Sequence, residues 1–173
     1  FYFSLVLTAE GVVYSFGWSD GGALGLGDTV TSTNVPLRVS FDGVVISVAA
    51  GGYHSAATTE EGRLYTWGFN YSGRLGHGDL TNRSLPAAVA STAQLTVKQV
   101  VAGGYCTLII DADSAIWITG RLRGDGPRST TFTRVQFPDT PGLPSPRFIS
   151  VSARHHALAV TTDGSLYSWG EGD

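Results

Sequence analysis

The chain has 173 residues, of which 42% are apolar, and a formal net charge of −3. It contains no run of like charge, which disfavours nucleic-acid binding by this segment because such binding needs a basic stripe. No stretch of about 20 apolar residues occurs, so we predict no membrane span. The single cysteine, Cys106, allows no internal disulfide. This fits a reducing, intracellular location, cytoplasmic or nuclear.

The chain repeats itself with a period of about 51 residues. The marker pairs fall 51, 52 and 50 residues apart and are Phe16-Gly17, Trp67-Gly68, Thr119-Gly120 and Trp169-Gly170. Such a period predicts one supersecondary unit that stacks on its neighbours to bury its apolar faces. We place the units at residues 1–43, 44–95, 96–146 and 147–173. The first and last are incomplete, so we expect the chain to be part of a longer protein.

The second unit reads as a series of short strands. Residues 44–50 form an apolar, β-branched run, and residues 54–58 form a second run of small side chains. Residues 64–67 form a third strand after a tight turn. Alternation along that strand points the rings of Tyr65 and Trp67 to one face, where we expect them in the core between two sheets.

A glycine-rich loop follows the marker pair. It covers residues 17–28 in the first unit and 68–79 in the second, and both loops end in Leu-Gly-x-Gly-Asp. Pro36 and Pro86 then mark the expected entry to a further extended segment. Each unit therefore offers about four short antiparallel strands and no helical periodicity. The predicted fold is an all-β propeller of four-stranded antiparallel blades, present here as a partial ring of about three to four repeats.

The Trp-Gly pair and the Asn-x-x-Gly-x-Leu-Gly-x-Gly-Asp loop together resemble the RCC1-repeat family, named for the regulator of chromosome condensation. The resemblance runs from Phe3 to Gly170 and is strongest over residues 48–79. It implies a propeller of about seven blades, each built from parts of two successive sequence units. A kelch propeller has a similar period but fits this loop poorly, and the WD40 period of about 40–45 residues is too short.

The third unit breaks the pattern, because its loop shrinks to residues 120–125 and four arginines lie within 14 residues. Breaks in a repeat are where function is expected, although simple drift of a solvated loop is the alternative. Since loops are usually exposed, we predict partner contacts at six loop residues. They are Asn70, Arg74 and His77 in the glycine-rich loop of the second unit, and Arg121, Arg123 and Arg128 in the shortened loop region of the third unit.

The sequence offers no catalytic or metal-binding constellation. His155 and His156 are neighbours on a predicted strand and point to opposite faces, and no cysteine pair supports a zinc site. His54 is replaced by Phe3 and Cys106 in other units, so we expect it to make a structural hydrogen bond. The Gly-x-Gly pieces precede no helix that could bind phosphate. We predict no enzyme activity, no cofactor and no metal.

The predicted function is a protein–protein interaction scaffold within a larger protein or multi-subunit assembly. The resemblance keeps guanine-nucleotide exchange on a small GTPase as the alternative, although no unit here carries the protruding insertion that such family members use. Plant relatives that sense ultraviolet light show Gly-Trp-Arg-His-Thr where this chain has Gly52-Tyr53-His54-Ser55, so we set that function aside. Chromatin binding finds no support in the mild acidity of the chain.

Overall fold

The computed structural model describes residues 2–19, 21–122, 128–138 and 145–170. Within these ranges, four antiparallel sheets follow one another along the chain. Blade 1 contains β1 (Tyr2–Leu7), β2 (Val13–Trp18) and β3 (Ser32–Val39), and blade 2 contains β4 (Val45–Ala50), β5 (His54–Thr59), β6 (Leu64–Gly68) and β7 (Arg83–Ala88). Blade 3 contains β8 (Val97–Ala102), β9 (Cys106–Asp111), β10 (Ile116–Gly120) and β11 (Ser129–Arg134), and blade 4 contains β12 (Phe148–Ala153), β13 (His156–Thr161) and β14 (Leu166–Gly170).

The strands of each blade are paired in sequence order, so the first strand lies at one edge of its sheet. These first strands pack side by side, β1 against β4, β4 against β8 and β8 against β12, and they form the inner side of the arc. A single 3₁₀ turn, Ala90–Thr92, is the helical element among the described residues, and no pattern in the sequence predicted it. The predicted all-β architecture of antiparallel blades is confirmed, as an open arc.

The hydrophobic core is divided among the gaps between consecutive blades. Trp67 is fully buried between blades 1 and 2, where Tyr65 also packs against Val13 and Val45. Leu64, on the other face of the same strand, packs between blades 2 and 3. The predicted alternation of this strand is therefore confirmed. Each interior blade contributes one face of its sheet to each of two cores.

Burial follows from how many neighbours a blade has. All residues of β5 and β9, in the two interior blades, are buried. In β1 and β14, which belong to the first and last blades, exposed residues alternate with half-buried ones. The second strand of a blade is therefore fully buried when a sheet covers each face of that blade.

The prolines lie elsewhere than predicted. Pro36 and Pro86 lie within the outermost strands, β3 and β7, and not at the strand entry. In both blades the pairing register shifts at this point, between Ser15 and Gly17 and between Thr66 and Gly68 of the neighbouring strands. A proline is tolerated there because the bulge interrupts the ladder and the strand lies at the sheet edge.

The arc has two faces with different connections. The turns that follow β4, β8 and β12 lie together on one face, where Gly51, Gly103 and Ala153 line a common depression. We call this the Gly-Gly face. The glycine-rich loops after β2 and β6 begin on it, and the hairpin turns after β1, β5, β9 and β13 lie on the opposite face.

Two glycines of one loop provide a test of how closely it packs against blade 3. Gly76 and Gly78 have φ values of 77° and 86°, so either alanine variant incurs about 1–2 kcal/mol of backbone strain. A Cβ at Gly76 would lie 2.5 Å from Phe132 Cε2, whereas one at Gly78 would meet only Thr131 Cγ2, at 3.9 Å. We expect Gly76→Ala to reduce the free energy of unfolding by about 1–3 kcal/mol more than Gly78→Ala, measured by chemical denaturation. Equal losses would contradict the tight packing at Gly76.

Candidate functional site

Asn70 holds the glycine-rich loop of blade 2 in shape. Its side-chain Nδ2 donates to the carbonyl oxygen of Asp79 at 3.0 Å, and its Oδ1 accepts from the backbone N–H of Leu75 at 3.0 Å. Its backbone N–H donates to Asn82 Oδ1 at 2.8 Å. Asn70 is 0% exposed, so its polar atoms serve the loop itself and not the solvent.

Arg74 joins the same loop to blade 3. Its Nη1 donates to the carbonyl oxygen of Gly104 at 2.8 Å, and its Nε donates to Ser72 Oγ at 2.9 Å. The Ser72 hydroxyl in turn donates to the carbonyl oxygen of Tyr105 at 2.8 Å. The loop that leaves one blade is thus hydrogen-bonded to the Gly-Gly turn of the next.

The backbone of this loop is held by hydroxyl groups of blade 3. Thr107 Oγ1 donates to the carbonyl oxygen of Arg74 at 2.7 Å, and Thr119 Oγ1 donates to that of Gly73 at 2.8 Å. The same arrangement joins blades 1 and 2, where Ser55 Oγ donates to the carbonyl oxygen of Ala23 at 2.7 Å. Ala23 therefore occupies the position of Arg74. We call this inter-blade hydrogen bond the interlock: a hydroxyl group of one blade donates to the backbone carbonyl of the preceding blade's loop, at Ala23 or at Arg74.

His54 makes the structural hydrogen bond expected from the sequence. Its Nε2 lies 2.8 Å from Thr107 Oγ1, whose proton is already donated to Arg74, so Nε2 is assigned as the donor. Complete burial, together with the nearby charge of Arg74, lowers the pKa of His54 to about 3. The imidazole is therefore neutral at physiological pH.

Aromatic rings follow one another along the Gly-Gly face above Arg74. The Tyr53 and Phe69 ring centroids are 6.3 Å apart, and those of Phe69 and Tyr71 are 6.4 Å apart. The Arg74 guanidinium carbon lies 5.9 Å, 5.7 Å and 5.2 Å from the ring centres of Tyr53, Phe69 and Tyr105. Burial lowers the pKa of Arg74 to about 10, so the side chain remains a cation beneath these rings at neutral pH.

Two more arginines border this row of rings. The Arg121 guanidinium carbon lies 5.6 Å from the Tyr105 ring centre, and Arg128 Nη1 donates to the carbonyl oxygen of Tyr71 at 3.4 Å. The Nε of Arg121 is buried and has no hydrogen-bond partner among the described residues. We define the aromatic–arginine patch as Tyr53, Phe69, Tyr71, Tyr105, Arg121 and Arg128 together with Arg74, which is buried beneath the rings.

The carboxylates that the structure describes are distributed unequally between the two faces of the arc. Among the described residues, seven of the nine carboxylates lie toward the opposite face, on Glu10, Asp42, Glu60, Glu61, Asp111, Asp113 and Asp163. On the Gly-Gly face, Asp79 is paired with Arg83 at 2.9 Å, and this arginine lowers the pKa of Asp79 to about 2. No carboxylate among the described residues forms an ion pair with an arginine of the patch.

The structure corrects the exposure on which the predicted contact residues rested. Asn70 and Arg74 are buried, at 0% and 1% exposed, because both hold the loop in place. His77 is half-buried with Nε2 3.0 Å from Thr66 Oγ1, and burial lowers its pKa to about 4. Arg121 is half-buried, Arg128 is exposed, and Arg123 lies outside the described residues.

The aromatic rings of the patch and the contact between its two loops were not predicted from the sequence. Tyr53 and Tyr105 occupy equivalent positions just before β5 and β9, so the repeat itself carried a signal that we did not use. Phe69 and Arg121 likewise both follow the glycine of the marker pair. The approach of Arg74 to Arg121 could not be predicted, because it depends on how blades 2 and 3 stack.

No group of three or more potential metal ligands occurs among the described residues. The depression on the Gly-Gly face measures about 350 Å³ and is lined by Ala, Gly and Arg154, which provide neither a general base nor a nucleophile. No helix in the part of the chain that the structure describes is long and apolar enough to cross a membrane.

Comparison with known proteins identifies the repeat. The family profile of the regulator of chromosome condensation (RCC1) repeat matches residues 10–58 and 61–110, more than half of the chain, and a second RCC1 profile matches residues 45–74. The chain belongs to the RCC1-repeat family. The first match covers β2, β3, β4 and β5, so one RCC1 sequence repeat supplies two strands to each of two consecutive blades.

Individual RCC1 relatives align along nearly the whole chain. It is 36% identical over 186 residues to the human E3 ubiquitin-protein ligase HERC2, covering 98% of this chain and 4% of HERC2. It is 38% identical over 170 residues to the ultraviolet-B receptor UVR8 of Arabidopsis thaliana, covering 96% of this chain and 38% of UVR8. Yeast RCC1 (Prp20), solved bound to Kap60, superposes with a TM-score of 0.78 at 25% identity, covering 98% of this chain and 42% of that one. The predicted propeller fold is confirmed, and the chain spans less than half the length of each of these relatives.

Removal of the Arg74 side chain tests its hydrogen bond to the Gly-Gly turn of blade 3. We expect Arg74→Ala to lower the free energy of unfolding by about 2–4 kcal/mol, because it leaves the buried carbonyl of Gly104 without its donor. Arg63→Ala is the matched control, since Arg63 forms an exposed ion pair with Asp42 at 3.3 Å and should cost less than about 1 kcal/mol. Chemical denaturation measures both, and similar losses would refute the structural role of Arg74.

The buried His54 predicts how stability depends on pH. Unfolded His54 binds a proton below about pH 6.5 whereas the folded residue does not until about pH 3, so stability falls on acidification across that window. From pH 7.5 to 5.5 we expect His54 to account for a loss of about 1.4 kcal/mol, which His54→Gln removes. His156→Gln, at the exposed equivalent position, should keep the wild-type dependence. Denaturant titrations at both pH values decide this, and an unchanged pH dependence in His54→Gln would contradict it.

Proposed function

We propose that this chain is a protein–protein interaction scaffold, an RCC1-like propeller module within a larger protein or assembly. The observation that carries the proposal is the aromatic–arginine patch, in which Tyr53 is 52% and Tyr71 is 61% exposed. Aromatic and arginine side chains are enriched where proteins bind one another. The hydrogen bonds beneath the patch fix the loop that carries Phe69 and Tyr71, which reduces the entropy lost on binding.

The relatives support a platform role but do not specify a partner. Yeast RCC1 (Prp20), to which this chain is structurally similar, has been solved bound to another protein, Kap60. HERC2 is named as a ligase and UVR8 as a receptor, and the chain spans only 4% and 38% of them. A propeller supports many functions, so the site must carry the assignment.

Guanine-nucleotide exchange on a small GTPase is the alternative. It rests on the family resemblance, and the connections between the strands of blade 2, all within the described residues, contain no projecting β-hairpin in its favour. The proposal includes an intracellular location, cytoplasmic or nuclear. The buried free Cys106, whose thiol pKa burial raises to about 12, is consistent with a structural and unreactive thiol there.

Native co-purification separates the two functions. We expect the intact protein, isolated from its natural source, to retain a stoichiometric set of partner proteins that mass spectrometry identifies and that stays bound when GTP is added. A small GTPase released by GTP would favour exchange, and accelerated release of labelled GDP from that GTPase would then replace the scaffold assignment. Recovery of the protein without any stoichiometric partner would refute the scaffold.

A further inference from the structure

We propose that the aromatic–arginine patch binds an extended, acidic segment of a partner protein. Asp or Glu carboxylates would pair with Arg121 and Arg128, and apolar side chains of the segment would pack on Tyr53, Phe69 and Tyr71. This inference rests on the proposed scaffold function and specifies the chemistry of one of its partners.

The cations of the patch define the charge of the occupant. Arg74 and Arg121 both lie against the ring of Tyr105, so two like charges are close together without a carboxylate partner among the described residues. The buried Nε of Arg121 also has no hydrogen-bond partner there. Guanidinium groups bind carboxylates through paired, charge-assisted hydrogen bonds. A carboxylate bound at the exposed part of the Arg121 guanidinium would therefore offset the repulsion between the two arginines.

The spacing of the rings fits an extended segment. Centroids of Tyr53, Phe69 and Tyr71 are separated by 6.3 Å and 6.4 Å along the row. Side chains on one face of an extended chain recur about every 6.6 Å, since each residue advances about 3.3 Å. Alternate side chains of such a segment can therefore pack on successive rings, while the intervening residues face away.

The repeat does not require an arginine at the positions of Arg74 and Arg121. Ala23 occupies the position of Arg74 in blade 1, and its backbone carbonyl accepts the same interlocking hydrogen bond. Trp18 occupies the position of Arg121. The preceding blade therefore forms without either arginine. Arg74 stabilises its own loop through the hydrogen bond to Gly104, whereas the charge of Arg121 has no ion-pair partner among the described residues.

A protein segment fits the patch better than a nucleic acid. The patch offers two arginines at the surface, Arg121 and Arg128, and the whole chain is acidic by three charges. Binding to a phosphate backbone depends on many cations along a continuous path. The combination of few cations and a row of rings matches short peptides with mixed acidic and apolar residues.

The test is a selection of random twelve-residue peptides, displayed on phage, against the intact protein. The peptide enriched most strongly is then synthesised with a fluorescent label, and its affinity is measured by anisotropy for wild type and variants. The Arg121→Ala/Arg128→Ala double variant removes the surface cations of the patch. Arg134→Ala/Arg147→Ala removes two exposed arginines from the opposite face and is the matched control. Single-stranded oligo-dT serves as the nucleic-acid competitor.

We expect selected peptides to be richer in Asp and Glu than the starting library, and to weaken at least tenfold with Arg121→Ala/Arg128→Ala but less than twofold with the control. Because Arg121 is half-buried, Arg128→Glu alone should also weaken binding while the melting temperature is unchanged. Absence of acidic peptides, equal loss in both double variants, or displacement of the peptide by oligo-dT would overturn the inference. If the natural partners still co-purify with the patch variants, the scaffold stands and the acidic-segment inference fails.

Discussion

The arc depends on hydrogen bonds that one blade donates to the loop of another. The carbonyl oxygens of Ala23 and Arg74 are buried between blades and accept from the hydroxyl groups of Ser55 and Thr107. A buried carbonyl without its donor costs about 1–3 kcal/mol. Each glycine-rich loop is therefore stable in this conformation only beside its neighbour. The buried carbonyls need donors from the next blade, and the apolar sheet faces need a neighbouring sheet to cover them. Both requirements are met only when the blades stack.

The interlock requires a backbone carbonyl at this loop position but no particular side chain. Since the backbone carbonyl makes the inter-blade bond, the side chain at the same position can be alanine in one blade and arginine in the next. Arg74 uses this freedom to add a bond to Gly104 and to place a cation beneath three rings. The main chain of residue 74 already makes the inter-blade bond, and the arginine side chain adds a hydrogen bond and a positive charge at the same position.

Most of the fold could be predicted from the repeat, and much of the site could not. Periodicity indicated antiparallel blades and placed Tyr65 and Trp67 in the core, because alternation along a strand is a local property. The exposure expected of Arg74 was wrong because loops in this fold lie between sheets, which no local pattern reveals. Similarly, Pro86 reads as the start of a strand until the bulge opposite it is known. The patch joins residues from two loops, and only the stacking of blades brings them together.

The bulged outer strands have a consequence for how such a protein behaves in a crowded solution. An outer strand with regular, unpaired N–H and C=O groups is a template for pairing with another chain, and repeated blades would offer that template many times. Pro36 and Pro86 each remove a donor at the bulge, so the rims of blades 1 and 2 are poor partners for an incoming strand. In blade 3, Phe132 lies in the corresponding outer strand and is buried in the core between blades instead. On the first two blades the backbone therefore contributes to protection against aggregation, alongside the charges of Arg38 and Arg83 in the same strands.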